Sequence, residues 1–385
     1  MNGLFSKNNK KFSWVKFSIY ALIVFLAGFY IFFGNSFYNN KIHTKDNLNK
    51  NYYKGEIVEI GESSQDENTG WTSFKVKVRL ISGENKNEIV DADLVQDKLF
   101  KELTKEVSVG DKYIVYHQQV ENSEYWGLGE PIKSSKLVFL IFAFFIGLIV
   151  LGGKTGLTTI ASLSATCLGI FMVFVPSVLA GYNTYLNSIL VCIFIIITTL
   201  PLVIGLNRKC ISAVFGCISG VLVSGILALL MTSLMNLSGM TTEESVYITY
   251  INSNINLRSI VFASIILGSL GATMDVAISI ASSLKELSSK SDVISKKGLF
   301  TSGIKIGKDI MGTMTNTLIL AYIGSSLSTV LLLTAYNTSL FEVLNKEVIT
   351  AEILQALAGS IGMLLTIPIT ALISAVLFNK KRKTL

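Results

Sequence analysis

The chain has 385 residues, 50% hydrophobic and only 15% charged, and 33 basic against 26 acidic side chains leave a formal net charge of +7. With 4 prolines and 30 glycines set among long apolar runs, this composition excludes a disordered or proline-rich chain. The positive balance does not point to nucleic acid, because the basic residues cluster in short segments between apolar runs, where membrane orientation alone places them.

Apolar runs of 18 residues or more read as membrane helices, since about 20 residues at 1.5 Å rise cross a roughly 30 Å hydrocarbon core. The first runs from Phe17 to Gly34, behind Lys7, Lys10, Lys11 and Lys16. It is longer than a signal-peptide core, and FFGNSFYNN offers no small-x-small cleavage site, so an uncleaved anchor is expected. Residues 35–136 are the one sizeable polar stretch. Gly55-Glu-Ile-Val-Glu-Ile, Ser73-Phe-Lys-Val-Lys-Val-Arg-Leu and Lys112-Tyr-Ile-Val-Tyr alternate with period two, which predicts a small β-barrel or sandwich, OB-like or SH3-like. One short helix is expected within Ala92 to Lys105.

Seven further spans follow: Leu137 to Leu151, Leu157 to Val175, Leu186 to Leu206, Ile211 to Leu234, Ser259 to Ser282, Ile310 to Leu333 and Gln355 to Phe378. Pro176, Pro201 and Pro368 fall near span ends or one turn inside, where kinks are ordinary. The expected fold class is an all-α polytopic membrane helical bundle of about eight spans with a small β-rich extracytoplasmic domain. Loop charge sets the orientation. With a cytoplasmic N-terminus, the inside segments carry Lys154, Arg208, Lys209, the lysines between Lys285 and Lys308, and Lys380, Lys381, Arg382 and Lys383. The short outside loops hold only Arg258 and Lys346 against five glutamates. The division is thus a cytoplasmic N-terminus (1–16), an anchor (17–34), the extracytoplasmic domain (35–136), a seven-span domain (137–379) and a basic cytoplasmic tail (380–385), and 285–308 is expected as a solvated loop.

Cys167, Cys192, Cys210 and Cys217 lie in or at the ends of spans, with His43 and His117 far from them in sequence, so no zinc spacing and no disulfide framework is expected. No GxxxxGK[ST] string occurs, and no cofactor is expected.

Two polar strings interrupt the apolar pattern: GATMDVAISIASSLKEL from Gly271 and GIKIGKDIMGTMTNTLILAYIGSSL from Gly303. A carboxylate inside a span is costly in lipid and marks function by default, which singles out Asp275. Asp275 and Asn316 both fall on the order of 10 Å inside the cytoplasmic face at 1.5 Å per residue. Asp275, Ser279, Ser282 and Glu286 share one helical stripe, and Asp309, Thr313 and Asn316 share another, with Gly312 alongside. The candidate substrate- or ion-binding set is therefore Asp275, Ser279, Ser282, Thr313, Thr315, Asn316 and Asp309, lining a funnel open to the cytoplasm. Serine, threonine and glycine at such places also pack helices closely, as Gly303-x-x-x-Gly307 does. Asp309, with Lys308, sits at the membrane edge, where helix capping and headgroup contact explain it equally well. Thr273-Met274-Asp275 and Thr313-Met314-Thr315-Asn316, each followed by Ser-Ser-Leu, form a weak trace of an inverted repeat.

At these residues the chain resembles the YibE/F family of bacterial multi-pass membrane proteins. The resemblance rests on GATMDVAISIASSLKEL and IGKDIMGTMTNTLILAYIGSSL, runs from about Lys136 to the C-terminus, and includes an N-terminal anchor followed by a β-rich domain. It implies a permease-like bacterial membrane protein and carries over no catalytic residues, while the span count and loop charges place both termini on the cytoplasmic side of the plasma membrane. The expected function is a permease or secondary transporter of a small solute or ion, with the lipid bilayer as its surroundings and the oligomeric state open. The alternative is a non-catalytic scaffold or sensor whose extracytoplasmic domain binds a partner. An intramembrane aspartyl protease is disfavoured, since GxGD is replaced by Gly307-Lys-Asp309 and Asp309 lies too shallow; no enzyme is expected.

Overall fold

The structure is a computed structural model that describes residues 4–41, 50–65, 71–83, 85–97, 107–120, 123–290, 294–336 and 339–379. The basic tail 380–385 lies outside the described residues. The chain forms two compact units, residues 44–147 and residues 1–43 with 148–385.

The first unit is a closed barrel of five strands, β1 (Lys50–Gln65), β2 (Trp71–Leu80), β3 (Ile89–Asp97), β4 (Lys112–Val120) and β5 (Ser123–Pro131), in the order β1-β2-β3-β5-β4. All neighbours run antiparallel except β3 and β5, which pair in parallel through Asp93 and Gly127. This is the Greek-key barrel of the OB type. Alternation builds its core: Val76, Val78 and Leu80 on β2 and Val90, Ala92 and Leu94 on β3 point inward with Ile57, Tyr113, Val115 and Leu128. The outward residues between them are charged, and Lys77 meets its cross-strand partner Glu59 at 2.7 Å. Of the stretch Ala92 to Lys105, where one short helix is expected, Ala92 to Asp97 complete β3, because Val90, Ala92 and Leu94 alternate into the core. The remainder, 98–106, lies outside the described residues.

On β5, burial pushes the Tyr125 phenol up to about 12, reinforced by Tyr116 and Asp93. A phenol raised on folding contributes stability present below its unfolded value and lost as pH climbs to the folded one. The barrel is therefore expected to weaken between about pH 10, the ordinary tyrosine value, and pH 12. Tyr125→Phe should flatten that alkaline limb in a proteolysis-versus-pH profile, and an unchanged limb would remove Tyr125 as its cause.

The second unit is helical: α1 (Leu4–Asn39), α2 (Ser134–Gly152, which begins in the preceding unit), α3 (Lys154–Gly169), α4 (Val175–Leu179), α5 (Thr184–Ile204), α6 (Arg208–Leu234), α7 (Glu243–Ile251), α8 (Leu257–Lys290), α9 (Lys296–Ala335), α10 (Leu340–Asn345) and α11 (Glu347–Phe378). A π-turn, Ile170–Phe174, joins α3 to α4 ahead of Pro176. Eight of these segments are long and apolar enough to cross a membrane: Tyr20–Asn39, Ser134–Gly152, Lys154–Leu179, Thr184–Ile204, Arg208–Leu234, Leu257–Lys290, Lys296–Ala335 and Glu347–Phe378. Asparagine and serine side chains start three of them. Asn183 accepts from the Leu186 amide, Asn207 from those of Lys209 and Cys210, and Ser295 from that of Gly298. The loop expected over 285–308 is helical up to Lys290 and again from Lys296. The Glu286–Lys290 ion pair at 2.8 Å and the Ser288 hydroxyl donating to the Phe378 carbonyl at 2.7 Å carry α8 beyond its apolar run.

The core of this unit is α6, α8 and α11, which pack pairwise on one another. Between α6 and α11 the contact is made almost without side chains. Ser212 and Ser374 share a hydrogen bond, the Ser224 hydroxyl donates to the Ala358 carbonyl at 3.1 Å, and Gly216 and Gly220 lie against Thr370 and Thr366. Residues 212, 216, 220 and 224 are one i, i+4 ridge, so small side chains along it let the backbones come together. α1 is tied to the bundle at its middle and near its end: the Leu206 amide donates to the Tyr20 phenol at 3.2 Å, and the Tyr38 phenol donates to Asn187 at 3.2 Å.

Candidate functional site

The two polar strings fall on α8 and α9, whose faces differ sharply. On α8, Thr273 is fully buried and shares a hydrogen bond of 3.4 Å with the Cys217 thiol of α6, while Val276, Ile280 and Leu284 face a core shared with α11. Asp275 lies on the opposite side and is exposed on the chain, with Ser279 and Ser282 half-buried on the same stripe. On α9, Gly303 and Gly307 lie against Ala371 and Ile367 of α11. Asp309, Gly312, Thr313 and Asn316 are turned away from that contact and exposed, with open space at Gly312. The Thr313 hydroxyl bonds its own helix, donating to the Ile310 carbonyl at 2.9 Å. Thr315 differs from these: it is half-buried, and its hydroxyl is buried with no hydrogen-bond partner among the described residues.

The predicted residues thus form two polar stripes at neighbouring helices. No hydrogen bond joins Asp275 to Asn316 among the described residues, and no salt bridge involves Asp275 or Asp309. On helices apolar enough to cross a bilayer, an exposed carboxylate and carboxamide must meet water, a ligand or another polar group, since lipid satisfies neither.

A second polar group in the same bundle escaped the sequence reading. Where α8, α9 and α11 meet, the Ser264 hydroxyl and the Gln355 carboxamide are 3.4 Å apart, and the Gln355 amide also reaches the Ser264 carbonyl at 3.4 Å. The Tyr322 phenol hydrogen-bonds Gln355 and sits close over Gly268, where a β-carbon would lie 2.5 Å from its oxygen. The Glu352 carboxylate lies half-buried within hydrogen-bond reach of the Ser326 hydroxyl, and Ser326 also donates to the Tyr322 carbonyl at 3.0 Å. Glu352 was expected outside the final span, but α11 begins at Glu347, so it lies more than a turn inside the helix. The available signal was periodic: Ser264, Gly268, Gly271, Asp275, Ser279 and Ser282 advance by four, three, four, four and three residues, a single stripe of α8.

Elsewhere in the bundle, an apolar groove of about 290 Å³ lies between α6 and α11 beside Leu227, Met231 and Leu357. The barrel carries a groove of about 470 Å³ bordered by Glu59, Lys75, Lys77, Asp91, Asp93 and Tyr125. The four cysteines are free thiols, with Cys192, Cys210 and Cys217 buried and Cys167 exposed.

The family model described as YibE/F-like protein matches residues 140–380, which takes in both stripes and the Glu352 cluster. No curated protein and no solved structure matches the chain.

Proposed function

The chain belongs to the YibE/F-like family, and on that premise we propose that it is a multi-pass permease, or secondary transporter, of a small solute or ion, with Asp275 as the charged centre of its pathway. Eight apolar helices and the family match suggest a multi-pass membrane protein. The observation that carries the transport reading is the exposed Asp275 carboxylate on α8, a helix whose opposite face is buried against α6 and α11. It has no ion-pair partner among the described residues and continues into half-buried hydroxyls at Ser279 and Ser282. A carboxylate so placed holds a proton or cation, and Thr313, Thr315, Asn316 and the edge residue Asp309 supply further oxygens on the neighbouring helix. In the proposed orientation both termini and the α8–α9 connection are cytoplasmic, the barrel is extracytoplasmic, and the pathway opens to the inside. Binding and release of the solute need no covalent step, so no enzymatic activity is proposed.

The test is flux in proteoliposomes containing a trapped pH dye and challenged with gradients of sodium, potassium or magnesium ions. Wild-type protein is expected to move the internal pH with at least one of them, and Asp275→Asn to abolish that movement while leaving the protein folded. Undiminished flux in Asp275→Asn removes its assigned role, and no flux from the wild type counts against the permease reading.

The barrel groove favours a second reading, a scaffold or sensor that binds a partner through that domain, because charged side chains of both signs border a concave face. A partner that co-purifies with the full chain and is lost when the 53–125 segment is deleted would support it.

A further inference from the structure

We propose that Glu352 is a second proton-binding carboxyl in the bundle, held by Ser326 beside Tyr322 at the far end of the α8 stripe that carries Asp275. The inference deepens the permease reading and rests on it only for the use to which the proton is put.

Three observations converge on Glu352. First, its carboxylate is half-buried where α9 meets α11, and no salt bridge involves it among the described residues. Neighbouring charges are engaged elsewhere or turned out: Lys346 pairs with Glu342 at 3.6 Å, Glu347 accepts from the Ser238 hydroxyl at 2.8 Å, and Arg258 at the start of α8 is exposed. On α9 the titratable group facing the cluster is Tyr322, and its charged residues Lys308 and Asp309 lie more than 12 positions away. Second, the groups that meet the carboxylate, the Ser326 hydroxyl and the nearby Tyr322 phenol, are neutral and both donate and accept. Such a set accommodates a carboxyl with or without its proton, whereas it offers no cation to balance a permanent charge. Third, the cluster is continuous with the stripe. Gly268 lets the Tyr322 oxygen reach the α8 backbone, and one turn on, nothing among the described residues lies within 4 Å of where a β-carbon would stand on Gly271. From Ser264 to Ser282 the stripe extends about 27 Å at 1.5 Å per residue, close to the thickness of a hydrocarbon core. With Glu352 beside one end and Asp275 about 10 Å in from the other at 1.5 Å per residue, the two carboxyls suit a path on which protons enter from one side and leave on the other.

The test reads the proton directly with the hydrophobic reagent dicyclohexylcarbodiimide on the full chain in lipid nanodiscs. A protonated carboxyl adds across the carbodiimide: its proton passes to one nitrogen, its oxygen bonds the central carbon, and the adduct rearranges to a stable N-acylurea without a leaving group. Peptide mass spectrometry between pH 5 and pH 9 is expected to show labelling of Glu352 that falls along one titration curve displaced from that of the exposed Glu342. Labelling is lost in Glu352→Gln. Tyr322→Phe and Gly268→Ala, which alter the phenol's position without removing the carboxyl, should each move the midpoint. No labelling of Glu352 at any pH, or a curve that coincides with that of Glu342 and ignores Tyr322→Phe, would overturn the proposal. A chain that moves no solute still titrates at Glu352, so failure of the permease reading and failure of this inference are distinguishable.

Discussion

Gly220→Val should prevent the helical unit from assembling, at a cost of about 3 kcal/mol or more, the upper end of what overpacking a close-packed interior produces. A β-carbon at Gly220 would stand 2.7 Å from the Thr273 methyl and 2.8 Å from the Gly362 carbonyl, besides overlapping the Thr366 hydroxyl. The carbonyl is backbone and cannot turn away, so relief requires α6 and α11 to separate along the whole ridge from Ser212 to Ser224. Separation would also break the Ser212–Ser374 and Ser224–Ala358 hydrogen bonds, leaving polar groups unpaired in an apolar interior. Gly312→Val on α9 is the control, since nothing among the described residues lies within 4 Å of where its β-carbon would stand. Fluorescence-detected gel filtration of the two variants in detergent should give an aggregated profile for the first and a wild-type peak for the second. A monodisperse Gly220→Val protein with unchanged thermal stability would refute the close-contact account.

The second large effect is expected in the barrel, where Leu80→Ala should cost about 2–5 kcal/mol through lost burial and the cavity left behind. Leu80 is fully buried among ten core residues, so a single truncation removes a substantial part of a small core. For a domain of this size that corresponds to a fall in midpoint temperature on the order of 10 °C or more. Limited proteolysis of the full chain during heating should show earlier cleavage within 50–131 and an unchanged pattern in the helices. A cleavage midpoint within a degree or two of wild type would mean that the site refills by local collapse.

The pH dependence of Tyr125, the loss of flux in Asp275→Asn and the carbodiimide titration of Glu352 probe different parts of the molecule. Asp275 and Glu352 are the informative pair. Each is a carboxylate on a helix apolar enough to span, and they sit on different helices joined by one α8 stripe through Tyr322 and Gln355.

The sequence by itself determined the number and approximate extent of the apolar helices, because lipid-length runs are a local property of consecutive residues. It also determined the period-two strands of the barrel and the stripe Asp275, Ser279 and Ser282, because both periodicities are written along one element. Local pattern could not set where helices end. Hydropathy falls off at Lys285 and Gln355, yet α8 runs on to Lys290 and α11 begins at Glu347, held by an i, i+4 ion pair at one end and by contacts to Phe378 and Ser238. Nor could it set what a small residue is for. Gly220 and Gly312 look alike in sequence, and only the approach of α11 makes the first indispensable and leaves the second open. Tyr322, Gln355 and Ser264 come together beside Glu352 only because three helices converge, Ser264 and Gln355 across 91 positions of chain. Contacts between distant segments depend on how the helices cross, which is why the tertiary structure alone revealed that cluster.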